Sequence, residues 1–257
     1  MSFIGLDENQ NPQVLSSKKL GSIVSNSLIL EELINFFKDK AFDTLIDVGC
    51  GTKPYEPVYE KSCRRSFGFD VDHSPHNLSK AAFLASAENI PLLSDSADVI
   101  LCSEVLEHVP EPWQALDEMA RIAKPGAWII ITTPFLVSVH EPPYDFYRYT
   151  EFGLRHLLNR AGFEVERLVV KNEKIGVFLS QILWFQTKFW WMVTKWTKVK
   201  SVYSDGNPFL WLGVVVPQKI YLKLFRKIRD KYPSSIKKLS RSTAGYIVIG
   251  RYKQVGD

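Results

Sequence analysis

Three groups of side chains in this chain could do chemistry. The first closes a short apolar run at residues 45–48. It comprises Asp47, Gly49, Cys50 and Gly51, with Pro54 where a third glycine would complete a dinucleotide-binding turn. Glycines at 49 and 51 permit a tight turn and a close approach of backbone to ligand at the end of a strand. Such a turn holds nucleotide-like ligands where a parallel sheet reverses its strand order. Asp47 disfavours a pyrophosphate there and favours a ligand that carries an ammonium and a sulfonium. The second group is Asp70, which lies 19 residues past Gly51. That spacing suits a carboxylate accepting hydrogen bonds from a ribose diol. The third group is His108 and His140 together with Tyr144, Asp145, Tyr147 and Arg148. An imidazole is well suited to take a proton from a hydroxyl at neutral pH, although each histidine would serve equally as a packed, hydrogen-bonded side chain.

The elements that must position these groups follow from periodicity. Ser25 or Asn26 can cap a helix with Leu28, Leu30, Leu33, Ile34 and Phe37 at near-helical spacing. Residues 66–70 read as a second strand ending in Asp70, and residues 81–87 as a short third one. Residues 96–103 are almost continuously apolar, as in a strand covered on both faces. A helix over 112–123 carries Trp113, Leu116, Met119 and Ala120 on one face and stops at Lys124, Pro125 and Gly126. Residues 127–133 form a fifth strand, ended by Pro134. Thr150 caps a helix over 151–160, ended by Gly162, and strands follow at 163–170 and 244–251. His108 follows the fourth strand and His140 the fifth. Both therefore belong at the sheet edge that carries the glycine turn, and the loop at 140–149 would hold acceptor contacts.

In this order, Asp47, Gly49 and Gly51, then Asp70, then the block from Asp98 to Pro134, resemble the class I S-adenosylmethionine methyltransferases, in the broad type 11 group. The resemblance covers about residues 25–170 and 243–252. It implies an α/β, Rossmann-like, doubly wound seven-stranded sheet of order 3-2-1-4-5-7-6 with the last strand antiparallel. An α-helical, aromatic insertion at 171–243 would lie between strands six and seven. Residues 1–24 would be loosely ordered and 25–257 would form the methyltransferase domain. The implied cofactor is S-adenosyl-L-methionine, held by Asp47, Gly49, Cys50, Gly51, Asp70 and Val71. Ala87 and Glu88 would lie near its adenine, with Ser103 and Glu104 completing the site. Ser86 stands where relatives often carry an Asp that reaches the adenine amino group. The expected base is His140, with His108, Asp145 and Tyr144 as the other catalytic candidates. Glu104, Glu107 and His108 would share a face on one helical turn. With His140 they could hold a divalent ion, as a similar motif does in ubiquinone-pathway O-methyltransferases and small-RNA 2′-O-methyltransferases. The expectation is that no metal is used.

Composition bounds the rest. With 46% hydrophobic and 23% charged residues and a net charge of +4, the chain is an ordinary globular one. Three cysteines without paired or metal-ligand spacing point to a reducing compartment. The polar first 20 residues give no sign of a signal peptide, and no stretch of 18 uncharged apolar residues offers a membrane span. The insertion is different. It holds apolar pieces at 175–185 and 209–216, five of the seven tryptophans, and interleaved lysines at 188, 195, 198 and 200. Residues 219–241 then carry nine basic residues against one acidic, a local balance of +8. These features predict a surface lying against an anionic membrane or a lipid-linked substrate. The chain is thus expected to be a cytoplasmic enzyme, peripheral on the inner membrane face, that methylates a small-molecule or lipid-linked acceptor, preferentially on oxygen. The alternative is a non-catalytic, membrane-associated binding protein on the same scaffold, against which the intact Asp47, Gly49, Gly51 and Asp70 argue. No nucleic-acid motif accompanies the basic stretch, so nucleic acid is not an expected partner.

Overall fold

A computed structural model describes residues 4–6, 12–14, 23–171 and 243–253, with the single positions 185, 220, 223 and 227. Two compact units make up the chain. One comprises residues 1–2, 32–170 and 245–257, the other 3–31 and 171–244. The second unit contains an antiparallel ribbon, β1 (Ile4–Leu6) and β2 (Pro12–Val14), in which Ile4 lies opposite Val14. The sequence reading left this stretch as loosely ordered. The readings made for the insertion lie almost wholly outside the described residues. Among those described, no helix is long and apolar enough to cross a membrane.

The first unit is built on β3 (Phe42–Val48), β4 (Cys63–Asp70), β5 (Phe83–Leu84), β6 (Ala97–Ser103), β7 (Ala123–Pro134), β8 (Phe163–Val170) and β9 (Gly245–Tyr252). Their order is β5-β4-β3-β6-β7-β9-β8, parallel except for β9, which runs antiparallel to both neighbours. This is the order the family resemblance implies. Leu45, Val48, Val99, Ile100, Leu101 and Ile130 are completely buried, as the unbroken apolar runs predict for central strands. The order reverses between β3 and β6, so their carboxyl ends flank the crevice where such sheets bind ligands.

Four α-helices can be followed from end to end among the described residues: α1 (Ile23–Phe37), the four-residue α2 (Glu56–Tyr59), α3 (Pro112–Ile122) and α4 (Glu151–Arg160). Phe36, near the end of α1, packs edge-on against Trp128 of β7 and stacks on Phe42 of β3. Thr150 caps α4 as expected, its hydroxyl accepting from the Gly153 amide, and Gly162 leaves the helix at φ 85°. Three details differ from the sequence reading. Ser25 and Asn26, expected as caps, lie within α1, which already begins at Ile23. Trp113 is exposed, while Leu116, Met119 and Ala120 are buried on α3. β7 begins at Ala123, because Ala97 at the start of β6 pairs with it across an irregular register. The crossovers from β4 to β5 and from β5 to β6, residues 71–82 and 85–96, are made of turns and contain no helix.

Candidate functional site

The turn after β3 is held mainly by backbone. Gly49 and Gly51 have φ of 62° and 48°, a region that side chains rarely adopt. A Cβ on Gly49 would come within 2.4 Å of Val105, so the space beside Gly49 is filled by the chain itself. Asp70, at the end of β4, accepts from the Gly51 amide through Oδ2 (2.8 Å) and from the Val71 amide through Oδ1 (2.8 Å). Each oxygen keeps a second lone pair. The Cys50 amide donates to the Phe69 carbonyl at 2.9 Å. Asp47 is buried beneath the turn, where the Tyr59 hydroxyl donates to its Oδ2 at 3.0 Å. Burial pushes the Asp47 carboxyl up to about 7. Burial likewise pushes the Cys50 thiol up to about 12 and Cys63 to about 11, and all three cysteines are free and buried. None of them is an activated nucleophile.

Beside the turn, at the end of β6, a chain of hydroxyls runs to a carboxylate. Thr132 Oγ1 donates to Glu104 Oε1 at 2.8 Å, so the Ser103 hydroxyl, 2.9 Å from Thr132 Oγ1, is the donor in that contact. Glu104 has φ 57°, and the 3-10 helix that follows covers only Leu106–His108. The predicted face shared by Glu104, Glu107 and His108 therefore does not form. Ala87 is buried. Glu88 is held by the Ser86 hydroxyl (3.1 Å) and by the Glu111 amide (2.9 Å), which tie it to the start of α3.

The loop between β7 and α4 is sewn onto the 3-10 helix. The amides of Phe146 and Tyr147 donate to the Glu107 carbonyl at 2.9 and 3.2 Å. The hydroxyls of Tyr147 and Tyr149 donate to the carbonyls of Pro110 and Leu106, each at 2.9 Å. His108 Nδ1 lies 2.5 Å from the Tyr144 carbonyl, which fixes Nδ1 as the protonated nitrogen, and its Nε2 faces buried Glu107 at 3.8 Å. His140 meets His108 edge-to-face, with ring centroids 4.9 Å apart. Glu107, His108 and His140 each offer one ligand atom, all within 4.8 Å of one another. Glu104 is not in that group. Asp145 is bound by Arg148 at 2.5 and 2.8 Å and by the His140 amide at 2.8 Å.

The turn and this loop are joined by two histidines that are not among the sequence-derived site residues. The His73 ring packs on Tyr144 with centroids 4.4 Å apart, and His76 Nε2 lies 3.8 Å from Glu141 Oε1. A Cβ on Gly51 would touch the His76 ring at 3.4 Å. Tyr59 was likewise not read as a site residue. Its one sequence signal is a tyrosine shortly after the glycine turn, and nothing local tells it from a core residue. The structure thus gathers the glycine turn, both acids, both histidines and the Tyr144–Arg148 stretch at one edge of the sheet.

A family described as methyltransferase domain matches residues 25–168. An uncharacterized methyltransferase of Mycobacterium bovis (strain BCG / Pasteur 1173P2) is 32% identical over 126 residues, 46% of this chain and 47% of that protein. One from Mycobacterium leprae (strain TN) is 34% identical over 125 residues, 46% and 44% of the two chains. The chain spans about half the length of the curated relatives it matches. Among solved structures, a methyltransferase in complex with the Haloferax volcanii Trm112 methyltransferase activator aligns with a TM-score of 0.54 at 15% identity, covering 92% of this chain and 93% of that one. The [4+2]-cyclase SpnF aligns with a TM-score of 0.51 at 19% identity, covering 88% and 82%. At these identities the two solved structures speak for the fold alone.

Proposed function

The chain belongs to the methyltransferase-domain family, and from that premise we propose that it moves a methyl group from S-adenosyl-L-methionine to a hydroxyl of a small-molecule or lipid-linked acceptor. The observation that carries this reading is the meeting of a glycine turn backed by two buried acids with a paired-imidazole loop at one sheet edge. The expected methyl donor is S-adenosylmethionine, and the residues fit it. The remaining lone pairs of Asp70, beside the glycine turn, suit a ribosyl group. Asp47 is a buried carboxylate whose raised pKa makes a neighbouring cation favourable. Val71, Ala87 and Glu88 would line the adenine side, and Ser103 and Glu104 the methionine side.

The bound donor supplies a methyl group already activated on sulfonium, so the chain's task is alignment and proton removal. His140 takes the acceptor hydroxyl's proton as that oxygen gains the methyl group. His108 turns Nε2 toward buried Glu107 and is less exposed than His140, so it is the less accessible base. Tyr144 holds His108 through its carbonyl and can contact the acceptor with its exposed ring. The reading includes no metal; Glu104 turns to Thr132, and the residues that would hold an ion are Glu107, His108 and His140.

Exposed Leu136, Val137 and Val139 lead directly into His140, and Phe146 follows it. An apolar rim beside the proposed base supports a lipid-linked acceptor, and the tryptophan-rich, basic insertion supports a membrane surface. A thermal-shift titration tests the cofactor. S-adenosylmethionine and S-adenosylhomocysteine should raise the melting temperature, while NAD, magnesium and manganese leave it unchanged. Stabilisation by NAD alone would reject the reading. Flotation with anionic vesicles should carry the intact chain upward, less so in high salt. A chain that stays at the bottom at low salt would reject membrane contact.

A further inference from the structure

Asp145 is read from sequence as a candidate base, and its surroundings give it another part. Its side chain is 2% exposed. Both terminal nitrogens of Arg148 reach it, Nη1 to Oδ1 at 2.5 Å and Nη2 to Oδ2 at 2.8 Å. The His140 amide donates to Oδ2 at 2.8 Å. Bidentate guanidinium–carboxylate pairs are among the strongest charge-assisted contacts in proteins. The Arg148 hydrogen bonds hold the Asp145 carboxyl well below the usual carboxylate range, so it has almost no tendency to accept a proton near neutral pH.

The same pair closes the loop on itself. Arg148 also donates to the Tyr147 carbonyl at 2.8 Å and approaches the Ser138 carbonyl at 3.4 Å. His140 lies inside this closure. Its Nδ1 is 3.2 Å from the Ser138 carbonyl and 3.4 Å from Asp145 Oδ2, with Arg148 Nη2 also at 3.4 Å. Two oxygens, one of them ionised, face this nitrogen. A proton on Nδ1 donates to the carbonyl and is stabilised by the carboxylate charge. A lone pair there would face both oxygens and be served by a guanidinium already committed to Asp145. The arrangement repeats the base-plus-orienter logic of nucleophile–base–acid sites.

We propose that Asp145, anchored by Arg148, is a positioning residue that holds His140 as the Nδ1–H tautomer and leaves Nε2 to receive the acceptor's proton. This rests on the reading of His140 as the base, but its test does not need the acceptor. Long-range proton–nitrogen NMR of the full chain saturated with S-adenosylhomocysteine reads the tautomer directly, with His140→Gln assigning the signals. Wild-type His140 at pH 8 should carry its proton on Nδ1 in most molecules. In Asp145→Asn that preference should fall to near parity or reverse, while S-adenosylhomocysteine affinity changes by less than about twofold, because the cofactor turn shares no hydrogen bond with this pair. Arg148→Lys, which keeps the charge but not the fork, should lie between. A wild-type His140 protonated on Nε2, or an Asp145→Asn variant with an unchanged tautomer, would overturn the proposal. The wild-type spectrum decides the matter even where Asp145→Asn does not fold. Failure of S-adenosylhomocysteine to bind would instead strike the cofactor reading, and full turnover in His140→Ala the base.

Discussion

The glycine turn after β3 and the loop after β7 face one another through His73 and His76, yet they are built by different means. In the turn, most of the geometry is made by backbone. Three residues, Gly49, Gly51 and Lys53, sit at positive φ, and amides of Gly51 and Val71 converge on one carboxylate. In the loop, side chains do the work. Arg148 grips Asp145, two tyrosine hydroxyls reach carbonyls about 40 residues away, and His108 is oriented by a carbonyl rather than by its own helix. A backbone-built site suits a ligand that does not change, because no side-chain substitution alters the amides. A side-chain-built site can be refitted to a new acceptor without disturbing the turn. That division suits a constant donor beside an acceptor that can change.

The sharpest way to break this contrast is Gly49→Val. A β-branched residue at φ 62°, with its Cβ driven into Val105, combines strain of about 1–3 kcal/mol with overpacking of about 1–3 kcal/mol. Urea unfolding should show a loss of that summed order, and calorimetry no S-adenosylmethionine binding. A stable variant with normal affinity would mean the turn is not what the ligand uses. On the loop side, His140→Ala should lower turnover on the true acceptor by about 100-fold or more while affinity for S-adenosylmethionine stays level. Parallel losses in both would erase the distinction between the two regions.

A gentler probe is pH. Asp47 is raised to about 7 by burial, so the folded chain holds a proton that the unfolded chain has already released above pH 4. Stability of the ligand-free protein should therefore fall as pH rises from about 4 to about 7, by at most about 4 kcal/mol. A cationic ligand beside Asp47 favours the ionised form, so affinity for S-adenosylmethionine should rise over the same interval and level off above it. Melting curves and calorimetry across this range check both slopes. A ligand-free stability that rises through the window would place Asp47 in an environment that favours its charge.

The same contrast explains what could be read in advance. The turn, Asp70 and the Thr150 cap were legible because backbone-determined features leave local marks: glycines at fixed spacing, an acid ending a strand, a hydroxyl before a helix; the strand order came only with the family resemblance. The loop partnerships were not. Spacing put Glu104 on the face of Glu107 and His108 by assuming a helical turn. A left-handed residue at 104 breaks that turn, and Thr132, 28 positions away on β7, takes the carboxylate. His76 and Glu141 are 65 positions apart in the sequence, and no local pattern pairs them. Trp113 was assigned to a buried stripe because periodicity gives the width of an apolar face but not where its neighbour ends.

One feature of the sheet bears on how this protein survives at high concentration. A sheet that is open at both ends presents unpaired backbone donors and acceptors to any passing strand, the first step of aggregation. Here β5 is only two residues long and covers only Phe69 and Asp70 of β4, and the open stretch of β4 before them carries exposed Arg64 and Arg65, both paired with Asp43. At the other edge of the described sheet, β8 places Glu164, Glu166 and Arg167 outward, with Glu164 paired to Lys253. A foreign strand would have to bury those charges to dock. Charge guards both sides, so the seven strands can stay a closed set without being a closed barrel.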